Sequence, residues 1–217
     1  MTFAPALLRL DVLFESVSLA IGLAIASTAL VAYRRVGSRT LLLLSLGFFI
    51  TSFAMLFRVL IVAWALSELP WRGPLGGFYP LSLIRLQEFV YSIVRLSGYL
   101  VFLYLYATYP LTRERIVAGL APAGIGLIYS PLFEATAALI LGYIVYQLSR
   151  VNRSGVSPYT GYVFLGFIML LASHLLFLAT PLSLLFYLAA HTLQMFSFLL
   201  FLASMLTVLL HGKRLQI

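Results

Sequence analysis

The feature that most constrains this chain is a succession of long apolar runs separated by short clusters of arginine. An apolar helix needs roughly 17–25 residues to cross about 30 Å of hydrocarbon, and seven such runs stand near 11–33, 40–66, 81–109, 116–129, 132–149, 159–179 and 182–210. With 63% hydrophobic and only 9% charged residues, against about 25% charged in soluble domains, a water-soluble globule is excluded. The expected fold class is all-α: a polytopic membrane protein with seven transmembrane helices. The fourth and fifth runs are short on either side of Ser130-Pro131, and a re-entrant loop competes with them there.

The cations decide that competition, because cytoplasmic loops are enriched in Arg and Lys. With seven spans, Arg34, Arg35 and Arg39, then Arg113 and Arg115, then Arg150 and Arg153, and finally Lys213 and Arg214 all fall on one side. The amino terminus is then expected outside, the carboxyl tail in the cytoplasm and the protein in the plasma membrane. The formal net charge of +8 becomes an orientation signal, since the remaining arginines balance the remaining acids. Short loops of two or three arginines offer no continuous basic face for nucleic acid. Asp11 and Glu15 precede an uncharged run longer than a leader's, which reads as a retained first span. Ser67 to Pro80, with Trp64, Trp71, Phe78 and Tyr79 near it, reads as an ordered outer loop at the interface.

Short segments recur between the halves. Leu46-Gly47-Phe48 returns as Leu165-Gly166-Phe167, Pro80-Leu81-Ser82-Leu83 as Pro181-Leu182-Ser183-Leu184, and Leu96-Ser97-Gly98-Tyr99-Leu100 faces Phe196-Ser197-Phe198-Leu199-Leu200. Membrane proteins are often built from duplicated helix units that place sites where the units meet. The expected organisation is a single transmembrane domain over 1–217, with one three-helix unit in 1–109, a linking helix in 110–131 and a second unit in 132–217. Coincidence in a Leu- and Phe-rich chain is the competing account. Gly119, Gly124 and Gly126 with Pro122 suit the linking helix to close packing.

A charge at mid-membrane costs from about 2.5 to more than 10 kcal/mol, so each needs a partner, a wet cavity or a path to the interface. Arg85, Glu88, Ser92, Arg95 and Tyr99 are spaced by three and four, which lines them along one stripe of a helix. Glu15, Arg58 and Glu134 fall at comparable depth in other spans, so one Arg–Glu network in the outer half is expected. Two readings stand: ion pairs that lock the bundle, or a polar cavity that receives an anion, a proton or a small polar ligand. Tyr91, Tyr99, Tyr104, Tyr106 and Tyr109 are expected mostly in interface belt and packing.

His174 lies six residues before Thr180 and His191 ten after Pro181, about 9 and 15 Å below the outer surface at about 1.5 Å per residue. Two imidazoles on adjacent helices are what a b-type haem needs as axial ligands, and Met195 shares a face with His191. Copper or zinc held with a glutamate is another reading. Hydrogen bonding between helices or a proton-relay role is the plainer one.

Tyr33-Arg34-Arg35-Val36-Gly37-Ser38-Arg39, running into Thr40-Leu41-Leu42-Leu43-Leu44 and Gly47-Phe48, resembles small multi-spanning membrane proteins of archaea. Those likewise join an apolar span through a short basic turn to a Leu-rich span with Gly-Phe. The resemblance covers the first two spans, with an echo in spans six and seven, and implies no activity. In outline the plan of three, one and three spans is similar to microbial rhodopsins and to semi-SWEET sugar transporters. The rhodopsin likeness implies a retinal lysine in span seven, and Leu182 to Leu210 contains none.

Zero cysteines exclude disulfides, iron–sulfur ligation and thiolate nucleophiles. No nucleotide loop and no nucleophile–base set is present, so no enzyme is expected. The expected function is that of a carrier, sensor or membrane-complex subunit, without a resident cofactor. Its Arg95, Glu88, Arg58, Glu134, Glu15 and Arg85 would form a solute, ion or partner site. Its partners would be the lipid bilayer, other membrane subunits or a small polar or anionic solute. A haem-b electron-transfer subunit using His174 and His191, and a structural scaffold of a larger membrane machine, are the alternatives.

Overall fold

The computed structural model describes the backbone of residues 3–68, 81–108, 131–153 and 158–211, and side chains within 10–64, 67, 86–108, 131–150 and 161–210 except that of Asp11. These residues form α1 (Phe3–Val36), α2 (Arg39–Glu68), α3 (Leu81–Ala107), α4 (Pro131–Arg153), α5 (Pro158–Ala179) and α6 (Leu184–His211), with a 3-10 turn at Thr180–Leu182 before α6. All six helices are long and apolar enough to cross a membrane. The expected spans at 11–33, 40–66, 81–109, 132–149, 159–179 and 182–210 match them. The one expected at 116–129 lies outside the described residues, as do the outer loop 69–80 and the glycines of the linking helix.

Two turns show why the helices stop where they do. Gly37 sits at φ +73°, the left-handed region that favours glycine after a helix end, and its N–H closes on the Tyr33 carbonyl at 2.7 Å. Ser38 then accepts the Leu41 N–H at 3.0 Å and opens α2. At the other turn Pro181 occupies the 3-10 segment, and the Ser183 hydroxyl accepts the Leu185 N–H at 3.2 Å. Ser183 is thus the N-cap, and α6 starts at Leu184 rather than at Leu182.

The helices close into a ring in which each packs on its chain neighbours and α6 packs on α1. Ring contacts fix the directions. Tyr99 of α3 meets His174 while Phe102 and Tyr106 meet Phe167, so α3 and α5 run antiparallel. Since α4 joins α5 through residues 154–157 and Glu134 near its start meets His174 near the end of α5, α3 and α4 are parallel. One end of the ring therefore carries exposed Arg34, Arg35, Arg39 and Arg150 and is called the basic end. α3 finishes there and α4 begins at the opposite end.

The outward faces are apolar, with Phe49, Phe53, Leu139, Leu185 and Leu210 among the exposed side chains. Such faces suit lipid, and in lipid the helices are held together by close packing and hydrogen bonds rather than by the hydrophobic effect. Towards the basic end the interior is an aromatic layer. Phe48 of α2 contacts Phe102, Phe198 and Phe201 at centroid distances of 4.9, 5.7 and 5.0 Å, and Phe167 contacts Phe102 and Phe201 at 5.7 and 4.8 Å. Tilted and edge-on pairs of this kind contribute about 0.5–1.5 kcal/mol each beyond area.

Two close approaches recur in this layer. A Cβ on Gly47 would lie 2.2 Å from the Phe102 ring, and one on Gly166 would lie 3.0 Å from the Phe201 ring. A Cβ on Gly98 would lie 3.0 Å from the Gly47 carbonyl oxygen, and the Ser197 hydroxyl donates to the Gly166 carbonyl at 2.8 Å. These contacts match Gly98 with Ser197 and Phe102 with Phe201, an offset of 99. Ser97, which the sequence comparison sets opposite Ser197, bonds the Val94 carbonyl of its own helix.

Candidate functional site

Above the aromatic layer, five helices each contribute ionised or polar groups to one hydrogen-bonded chain. Glu15 of α1 is buried, and its Oε1 accepts from Arg58 Nη1 of α2 at 2.9 Å and from the Tyr91 hydroxyl of α3 at 3.0 Å. Arg58 Nε also lies 3.4 Å from Glu88 Oε1, whose side chain is 21% exposed. The Tyr91 ring carries two guanidinium groups, Arg58 at 4.9 Å and Arg95 at 4.8 Å from its centroid, the geometry of cation–π attraction.

Arg95, one helical turn further along α3, continues the chain. Its Nη1 donates to the Tyr91 hydroxyl at 3.2 Å and its Nη2 donates to Glu134 Oε1 of α4. Glu134 Oε2 faces His174 Nδ1 of α5 at 2.5 Å. A carboxylate only accepts, so Nδ1 carries the hydrogen. In a neutral ring Nε2 is then the acceptor for the Tyr99 hydroxyl, which lies 2.9 Å away. The Tyr99 ring leans on Phe102 at 6.5 Å, where the aromatic layer begins.

The structure therefore brings together Glu15, Arg58, Glu88, Arg95 and Glu134, as the depth argument expects. The side chain of Arg85 lies outside the described residues. Residue spacing alone misses Tyr91, whereas Tyr99 stands on the stripe that the spacing defines. Tyr91 and Tyr99, expected in belt and packing, are links in the chain, while Tyr104 at 60% exposed does face outward. His174, for which interhelical hydrogen bonding stood beside the haem alternative, is the partner of Glu134. A signal for the acids was present: Leu13-Phe14-Glu15 and Leu132-Phe133-Glu134 stand 119 residues apart, the same offset as Leu46-Gly47-Phe48 and Leu165-Gly166-Phe167.

The donor set does not fit axial haem ligation by His174 and His191. Both ring nitrogens of His174 are engaged by Glu134 and Tyr99, and the Phe177 ring packs against both histidines, at 6.1 and 4.9 Å. His191 sits in an aromatic cage, stacked on Phe14 at 5.4 Å and edge-on to Tyr187 at 4.5 Å. Met195 is half-buried beside it on α6. Among the described residues no three His, Cys, Asp or Glu side chains are grouped as a metal site would need.

Comparison with protein-family models, with curated proteins and with solved structures finds no match. The chemistry of the site accordingly rests on its own geometry.

Proposed function

We propose that the chain is a seven-span carrier of the plasma membrane, built from two parallel three-helix units, with the Arg–Glu chain as its solute or ion site. Carriers of this plan place their sites between units, and here the Arg95 guanidinium of one unit holds the Glu134 carboxylate of the other. The parallel run of α3 and α4 supports a further crossing by residues 109–130, which are numerous enough for one span of roughly 17–25 residues. The paired Leu-Phe-Glu and Leu-Gly-Phe segments support the duplication. The exposed arginines at one end support a cytoplasmic basic end and an outer network.

The single observation that carries the reading is the unbroken hydrogen-bonded chain from partly exposed Arg58, itself ion-paired with Glu88, to buried Tyr99, ending on the aromatic layer. A lock for the bundle needs isolated pairs; a relay that reaches from one face to mid-bundle and stops is the form of an access path closed on its far side. Glutamate and histidine in such a path hold or exchange protons, and arginine attracts negative charge.

The test is proton flux into proteoliposomes loaded with a pH-sensitive dye. The wild-type protein is expected to dissipate an imposed pH gradient faster than empty vesicles, and Arg95→Gln, reconstituted in equal amount, to lose at least about tenfold in rate, or about 1.4 kcal/mol in the barrier. Equal rates for wild type and variant would remove Arg95 from the path, and a wild-type rate equal to empty vesicles would remove the carrier reading.

A further inference from the structure

The two glutamates of the Leu-Phe-Glu segments do not receive equal treatment from the helix that runs parallel beside them. Glu134 of α4 meets α3, where Arg95 occupies one carboxylate oxygen, and His174 takes the other. The helix that carries Glu15, α1, packs on α6, its parallel neighbour in the ring. The offset of 119 carries Glu15 onto Glu134, and the offset of 99 set by the Gly98–Ser197 and Phe102–Phe201 matches carries Arg95 onto Gln194. At the second seam, then, a glutamine stands where the first has an arginine.

That exchange leaves polar atoms without partners. Gln194 is 1% exposed and Glu15 1% exposed, yet Glu15 Oε2 and both amide atoms of Gln194 have no hydrogen-bond partner. The two residues lie at adjacent levels of the seam. Phe14, next to Glu15, stacks on His191, and a Cβ on Gly22 would lie 3.5 Å from Phe198, so Gln194 falls between these contacts, level with buried Ser18. Buried amide and carboxylate atoms without partners carry their full desolvation penalty, which makes an occupant of matching chemistry favourable.

The chemistry is that of the group Gln194 lacks. We infer that the α1–α6 seam binds a small monovalent cation with N–H donors, of the ammonium or guanidinium type. Glu15 Oε2 and Gln194 Oε1 would accept its hydrogens. This inference rests on the duplication proposed above and on no transport step, so failure of the flux assay leaves it standing.

The experiment is thermal unfolding of the purified full chain in detergent, titrated with ammonium or guanidinium chloride at low millimolar concentration. Tetramethylammonium and sodium chloride serve as cations without N–H donors. A ligand that binds only the folded state raises the unfolding temperature with its concentration, and a rise is expected for the first two salts alone. Gln194→Arg supplies the guanidinium covalently and is expected to unfold at a higher temperature than wild type and to lose the response. Gln194→Leu, which removes the amide without adding charge, and Glu15→Gln are expected to lose the response as well. An equal rise with tetramethylammonium or sodium, or a response retained in Gln194→Leu, would overturn the assignment.

Discussion

The network layer and the aromatic layer fill the same six-helix ring by opposite means. In the aromatic layer Phe48, Phe102, Phe167, Phe198 and Phe201 are each at most 1% exposed and interlock by shape, so any one of them has several neighbours to share a loss. In the network layer each ionised group depends on one or two specific partners, and removal of one strands another. The lesson is that the two layers should differ less in how much they stabilise than in how sharply they respond to single changes.

The largest expected effect breaks the network at its most buried pair. Glu134→Leu leaves the Arg95 guanidinium, itself 3% exposed, without its carboxylate, and breaking a buried pair from one side costs about 3–5 kcal/mol. Replacing both partners, as Glu134→Leu with Arg95→Leu, should recover most of that loss, because no uncompensated charge then remains. Unfolding midpoints of the two singles and the double in one detergent give the coupling directly. A double variant no more stable than Glu134→Leu would mean that the pair is not the unit that the geometry describes.

A smaller effect sharpens the account of the aromatic layer, by comparing its two glycine contacts. Gly47→Ala drives a methyl to 2.2 Å from Phe102, whereas Gly166→Ala brings one to 3.0 Å from Phe201. Overpacking costs typically about 1–3 kcal/mol, and the Gly47 variant should sit in that range with the Gly166 variant below it. Equal unfolding temperatures for the two would show that the Phe102 ring gives way as easily as the Phe201 ring.

What the sequence made legible follows from which signals are local. Helix existence and span length depend on runs of apolar residues, and six of the expected spans coincide with helices to within a few residues, apart from the early start of α1. Depth was less legible: counted from Pro80, Arg95 lies about 22 Å along its helix at about 1.5 Å per residue, whereas Glu134 stands in the first turn of α4, and yet the two are paired. Partner choice was not legible, because it depends on rotation about helix axes that only packing sets. His174 and His191, about one helical turn apart in expected depth, have the same chemistry, yet Phe177 packs against both and His174 turns to Glu134.

Tyr99 is where the two layers meet, and it gives the smallest and most diagnostic change. Its hydroxyl donates to His174 Nε2 at 2.9 Å while its ring stands edge-on to the imidazole at 5.3 Å and leans on Phe102. Tyr99→Phe removes the hydrogen bond and keeps the ring, so the aromatic layer should be undisturbed and the loss confined to one buried bond, about 1 kcal/mol. If the chain is a relay, proton flux should fall by much more than that loss of stability explains, because His174 no longer has a hydroxyl to pass a proton to or from. A fall in the unfolding midpoint with unchanged flux would place the functional end of the chain at the Glu134–His174 pair and leave Tyr99 as packing alone.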